Sequence, residues 1–237
     1  MTIEELKNTT GNLLEEIKMN IIVNEQTIPI SFSQKATILN SKSGILSSTV
    51  TFTPNARVMD EPRGFLKYVN NQWVFCGLSQ INPATFEKLA LVLESPHKNE
   101  FSPAGIPLRP ANGTTGNKIN NLLADVINNR PPSGINQKII YKVYLINAIQ
   151  YQTSCYQTLH AFSNYKNNWH TIRNNVFKAL WNNKNLNIQQ DLKNRINVIS
   201  PSVIMNCVTG GKSHAGLKRL VELVIKSNNL YPHPSTW

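Results

Sequence analysis

Acidic side chains are scarce in this 237-residue chain: 13 Asp and Glu face 24 Lys and Arg, for a formal charge of +11 and a pI near 9.7. That imbalance argues against a basic partner and suits a polyanion, nucleic acid above all, with an acidic membrane surface as the alternative. Cysteine is nearly missing too. Cys76, Cys155 and Cys207 lie far apart, which excludes a CxxC metal knuckle and a dense disulfide framework. No apolar run approaches the roughly 20 residues that span a bilayer, and the acid-containing start, Met1 to Asn20, is unlike a signal peptide. The expectation is a soluble, cytoplasmic monomer that does not bind membrane. Asparagine, by contrast, is abundant at 32 residues, so a single Asn carries information only through its surroundings.

Along the chain, Leu6, Leu13, Leu14 and Ile17 fall at spacings that predict a helix over Thr2 to Met19. From Thr27 to Gly77 short β-rich runs alternate with turn clusters, and "YVNNQWVF" reads as a hairpin. The texture changes near Gln80. Beyond it, the strands "KLALVLE", "KIIYKVYLINA" and "SVIMNCV" alternate with the helices "GNKINNLLADVINN", "WHTIRNNVFKALW" and "GLKRLVELVIKS", a pattern that predicts a mostly parallel sheet. Thr115 is the expected cap of the first helix. These features divide the chain into a β-rich extension with an N-terminal helix, residues 1–80, and an α/β domain, residues 81–237. In open parallel sheets ligands bind where the strands end, so the loops after Leu93, Ile146 and Val208 and the segment around His233 are expected to share one cleft.

Within those loops most familiar chemistry is missing. "TGGKSH" at Thr209 to His214 lacks the first glycine of a phosphate-binding P-loop, although Lys212 and Ser213 at a helix start suit a phosphate contact. The histidines at 97, 160, 170, 214 and 233 show no metal-ligand spacing, so neither a metal nor a cofactor is expected. No Gly-x-Ser-x-Gly elbow occurs, and Cys155 has no sequence partner for covalent chemistry. What remains is Glu94, Glu100, Asn147 and His233. Only six acids follow Pro62, and two of them share the loop after the first of these strands.

Those residues stand in a recognisable order. "LESPHKNEF", then "GIPL" at Gly105 to Leu108, then "GNKINNLL", with "YLINAI" around Asn147 and a final His233-Pro234-Ser235, resembles the motif series of the uracil-DNA glycosylase superfamily over about Lys88 to Trp237. The resemblance implies a three-layer α/β/α sandwich around a short, mostly parallel four-stranded sheet. It implies that Glu94, which holds the place of the motif glutamate, or Glu100, the later acid, is the catalytic carboxylate, with Glu94 favoured. Asn147 would read a flipped base, Leu108 would stand where the family stacks an aromatic ring, and Ser95, Pro96, Ser213 and Ser235 would hold phosphates.

The chemistry agrees with these residue types. Breaking an N-glycosidic bond develops a cationic sugar and an anionic base, so a carboxylate beside the sugar and a donor at the pyrimidine O2, here His233, lower the barrier. An asparagine offers one donor group and one acceptor to a base edge. Leu108 in place of the aromatic, and His97 where strict uracil enzymes carry a tyrosine, point away from plain uracil. A larger base, glucosylated hydroxymethylcytosine of phage DNA removed in antiviral defence, is the expected substrate. Uracil or deaminated bases are the alternative, and a non-catalytic DNA-binding module on the same fold is a second one. Tyr231 or Trp237 is the expected duplex wedge.

Overall fold

The computed structural model describes residues 13–36, 50–52, 56–153, 169–210 and 216–237. The chain divides into two compact units, Met1–Thr53 and Pro54–Trp237. In the first, strands β1 (Leu13–Val23), β2 (Gln26–Ala36) and β3 (Val50–Phe52) form a sheet in the order β2-β1-β3. From Leu13 onward the expected helix is therefore a strand, and Thr2 to Asn12 lie outside the described residues. The local reason is a hairpin: Asn24 and Glu25 both take left-handed backbone, φ 47 and 64, which closes two strands in the sense that matches their twist. The β-branched run Ile21-Ile22-Val23 then extends β1, with Ile21 and Val23 buried. Pro29 is tolerated because β2 is an edge strand.

The second unit is an α/β structure on a five-stranded mixed sheet, ordered β5-β4-β7-β6-β8. Its strands are β4 (Glu61–Val69), β5 (Gln72–Gly77), β6 (Glu87–Leu93), β7 (Tyr141–Asn147) and β8 (Val203–Asn206). β6 runs parallel to both β7 and β8, whereas β4 is antiparallel to β5 and β7. The sheet thus has five strands rather than four, and the parallel part is its β7-β6-β8 half. The hairpin read from "YVNNQWVF" is present, turning through Asn70 and Asn71 in left-handed backbone. It belongs to this sheet, so the break falls after Thr53 and not near Gln80. The change of texture near Gln80 reflects β6, which reads as a continuous apolar run because it is buried on both faces.

Among the described residues four helices accompany the sheet: α1 (Thr114–Asn129), α2 (Trp169–Asn182), α3 (Ile188–Ile199) and α4 (Leu217–Ile225). α1 starts from Gly113 rather than from a Thr115 cap. Leu89, Leu91 and Leu93 join Ile119, Leu123 and Ile127 of α1 in one core, matching a two-residue period to a 3.6-residue one. The intervening Ala90 and Val92 are buried as well, so β6 is covered on both faces. Each such leucine contributes about 2 kcal/mol, which makes β6 a firmly held base for the residues that follow it. No helix among the described residues is long and apolar enough to cross a membrane.

Candidate active site

β6 and β7 end side by side, with Leu93 paired to Asn147, and β8 ends at Asn206 beside Val92. The ladder runs on past the strands: Ala148 N–H donates to Leu93 O at 2.9 Å and Ile149 N–H to Glu94 O at 3.1 Å. Rigid backbone thus brings Glu94 and Asn147 to the same edge. Glu94 is only 4% exposed. Its Oε1 meets Nε of Arg173, on α2, at 3.0 Å, so a cation compensates the charge that burial would otherwise leave costly.

After Glu94 the chain turns sharply. Ser95 Oγ and Thr153 Oγ1 lie 2.7 Å apart, Pro96 is buried, and His97 caps a short 3-10 turn, Lys98–Glu100. Glu100 reaches back so that its Oε1 accepts from His97 N–H at 3.0 Å, a capping box in which turn chemistry aims a carboxylate inward. Its Oε2 then accepts from Asn147 Nδ2 at 3.2 Å, with both side chains buried. Burial pushes the Glu100 carboxyl up to about 7, only partly offset by hydrogen bonds from His97, Asn147 and the Ala111 N–H. Among the described residues Asn147 Oδ1 has no hydrogen-bond partner, although it is buried. An acceptor left in this state costs about 1–3 kcal/mol.

The loop then closes on itself: Ser102 N–H donates to Ile106 O, and Leu108 N–H to Glu100 O, both at 2.8 Å. Gly105 permits the turn with φ 76. This leaves Leu108 half exposed beside the Glu100 backbone, an aliphatic rim rather than a ring. The His97 ring lies at the surface of the same loop; partial burial, then Lys98 and Arg173, push its pKa down.

His233 comes from a different direction. The segment after α4 pairs with β8, Tyr231 N–H donating to Asn206 O at 3.0 Å, and Pro234–Thr236 form a second 3-10 turn capped by His233. His233 Nδ1 accepts from Ser235 N–H at 3.2 Å, which leaves the ring proton of a neutral imidazole on Nε2, a donor. Ser235 Oγ lies 2.8 Å from the same nitrogen. Lys118 of α1 grips the turn, donating to Ser235 O at 2.9 Å and Trp237 O at 2.8 Å. The bonds thus join Glu100 to Asn147, Glu94 to Arg173, and His233 to Ser235. Two surface clefts, one along Trp181 to Lys193 and one between Trp73 and Asn136, lie elsewhere on the unit.

Three expectations change or fall outside. Lys212 and Ser213 lie outside the described residues. Tyr231 is buried, with its hydroxyl donating to Arg130 O at 2.5 Å, so it cannot act as a duplex wedge. Trp237 is tethered through Nε1 to Pro232 O at 3.0 Å.

Sequence reading missed two arginines. Arg173 faces Glu94. Arg195 of α3 holds the backbone at the end of β7, donating to Asn147 O at 3.0 Å and Ala148 O at 3.3 Å while pairing with Asp60 and Asp191 at 2.7 and 2.8 Å. The available signal was weak: a buried carboxylate such as Glu94 is kept ionised by a cation from another element, but nothing in the sequence says which one. Among the described residues no three His, Cys, Asp or Glu side chains gather as a metal site. Comparison with family models, curated proteins and solved structures returned no match.

Proposed function

We propose that the protein is a monofunctional DNA glycosylase that cleaves the N-glycosidic bond of a flipped, modified pyrimidine and leaves an abasic site. The observation that carries this reading is the buried pair of Asn147, at the end of β7, and Glu100, in the turn after β6, with the Asn147 side-chain oxygen Oδ1 unclaimed by any described residue. Such a group suits a base edge taken out of the stack. In this reading Glu94 provides the carboxylate beside the sugar as the C1′–N1 bond breaks and its electron pair passes to the base. The His233 Nε2–H steadies the anionic base at O2, and a water oxygen then adds to C1′ while its proton passes to the Glu94 carboxylate and from there to the departing base. Ser95 and Ser235, with Lys212 and Ser213, grip the flanking phosphates, and the buried Pro96 shapes the turn that carries Ser95. The +11 charge gives affinity that does not depend on sequence.

The fold side of the proposal is a three-layer α/β/α sandwich, supported by burial of both faces of β6. In this reading the N-terminal sheet is an extension of a cytoplasmic, monomeric enzyme. Glucosylated hydroxymethylcytosine in phage DNA is the favoured substrate, because the exposed Leu108 and His97 stand where the motif series of strict uracil enzymes has aromatic rings. Excision of uracil or deaminated bases in repair is the competing substrate class. Purified protein incubated with glucosylated, uracil-containing and unmodified DNA, followed by alkali, tests both. Strand breaks in the glucosylated DNA alone support the favoured substrate, breaks in uracil DNA alone support the competitor, and breaks in neither remove the enzymatic reading.

A further inference from the structure

We propose that Glu100 is the specificity-determining positioning residue of this site: it holds the Asn147 amide with Nδ2 turned inward, which commits Oδ1 to a ligand edge that offers an N–H donor. The ligand half of this inference rests on the nucleobase reading above; the orientation does not. His97 N–H can only donate, so Glu100 Oε1 is taken as an acceptor at 3.0 Å. Oε2 faces Asn147 at 3.2 Å, and an ionised carboxylate accepts there as well. Turning the amide over would set oxygen against oxygen. The Glu100 hydrogen bond therefore dictates which amide atom is left over, and that atom is the buried Oδ1, unpartnered among the described residues.

The charged groups around the pair are otherwise engaged. Glu94 meets Arg173, and Arg195 sits on the Asn147 carbonyl with Asp60 and Asp191. His97 and Lys98 lie on the same loop as Glu100. A pyrimidine satisfies Oδ1 with the ring N3–H of a uracil-type edge or the exocyclic amine of a cytosine-type edge. Pyrimidin-2-one, which lacks both, offers acceptors only and leaves two acceptors opposed. With burial holding Glu100 near 7, its protonated form donates to Oδ1 and reverses the amide, so the preference is full above that pH and fades below it.

Glu100→Gln makes a sharper case than simple loss. The position facing His97 N–H must stay an acceptor, so the glutamine nitrogen faces Asn147, which turns Oδ1 inward and Nδ2 outward. The test is fluorescence anisotropy at pH 8 with single-stranded oligonucleotides identical but for one central cytosine, uracil or pyrimidin-2-one. It is paired with the nitrogen-proton NMR signals of the Asn147 side chain, identified by their loss in Asn147→Ala. Wild type should bind the cytosine and uracil strands about tenfold tighter than the pyrimidin-2-one strand. Its Asn147 amide protons should exchange slowly with water. In Glu100→Gln the preference should vanish or invert and the amide protons should exchange fast.

An Asn147 signal unchanged by Glu100→Gln overturns the inference whatever the strands do. Equal wild-type affinity for all three strands beside a reorienting amide also overturns it, because the orientation then selects nothing. No binding of any strand beside a reorienting amide removes the nucleobase reading and leaves the orientation standing.

Discussion

The side-chain amide of Asn147 donates across 3.2 Å to a carboxylate oxygen of Glu100, a residue that reaches it from a 3-10 turn on a different loop. Neither partner has appreciable contact with water. Burial of an acid without a facing cation is unfavourable, and the raised proton affinity of Glu100 expresses that cost. Shifted carboxyls of this kind concentrate at functional sites, which is why this pair anchors the proposed function.

Glu100 makes stability depend on pH. Its carboxyl titrates at 4.5 unfolded and about 7 folded, so the folded state binds the proton more tightly. Its contribution is fully present below about 4.5, is lost as pH rises toward 7, and is constant above. The shift corresponds to about 3 kcal/mol. Urea unfolding across this range, with Glu100→Gln as reference, should show wild-type stability falling relative to the variant by that order. Parallel curves contradict the assignment.

Glu94→Gln should lower single-turnover base release by about 100-fold or more while DNA affinity changes little. Circular dichroism must accompany the rate, because the substitution also weakens the 3.0 Å pair with Arg173. A folded variant with undiminished release would remove Glu94 from the mechanism.

Arg195→Met strips the cation from Asp60 and the two donors from the Asn147 and Ala148 carbonyls. Breaking a pair buried to this degree should destabilise the unit by about 3 kcal/mol, measured by denaturant unfolding. Base release should also fall about tenfold at temperatures where the variant remains folded, since the strand end carrying Asn147 loses its clamp. A change confined to stability would mean the network is structural only.

Gly116 lets α1 approach the loop that feeds Glu100. A Cβ there would lie 1.9 Å from Ala111 O, and the Ala111 N–H is one of the donors to the Glu100 carboxylate. Gly116→Ala should therefore cost about 1–3 kcal/mol, although alanine favours a helix. The exposed neighbour Asn117→Ala should stay within about 0.5 kcal/mol. Thermal unfolding of the two distinguishes close approach from helix propensity.

Much of the second unit was legible because apolar periods map directly onto β6, β7, β8, α1, α2 and α4. α3 was not: it buries only Ile188 and Leu192 and leaves Val198 83% exposed, so its pattern is too polar to stand out in an asparagine-rich stretch. The place of the β4–β5 hairpin was hidden for another reason. A strand's sequence records which face is apolar, not which strand it pairs with. β1 was misread because its leucines also fit a helical spacing, and the two-residue turn at Asn24 and Glu25 was the stronger signal. Glu94, Glu100 and Asn147 were legible from their order at strand ends. Arg173 and Arg195 were not, since a helical arginine looks the same whether it faces water or a buried acid.

The most direct measurement is mass analysis of what leaves glucosylated phage DNA on incubation with the protein, alongside a count of aldehyde-reactive sites in the polymer. The glycosylase account predicts free modified pyrimidine and abasic sites in equal number, both lost with Glu94→Gln. Protein that binds this DNA and uracil-containing DNA yet leaves every base attached would contradict it.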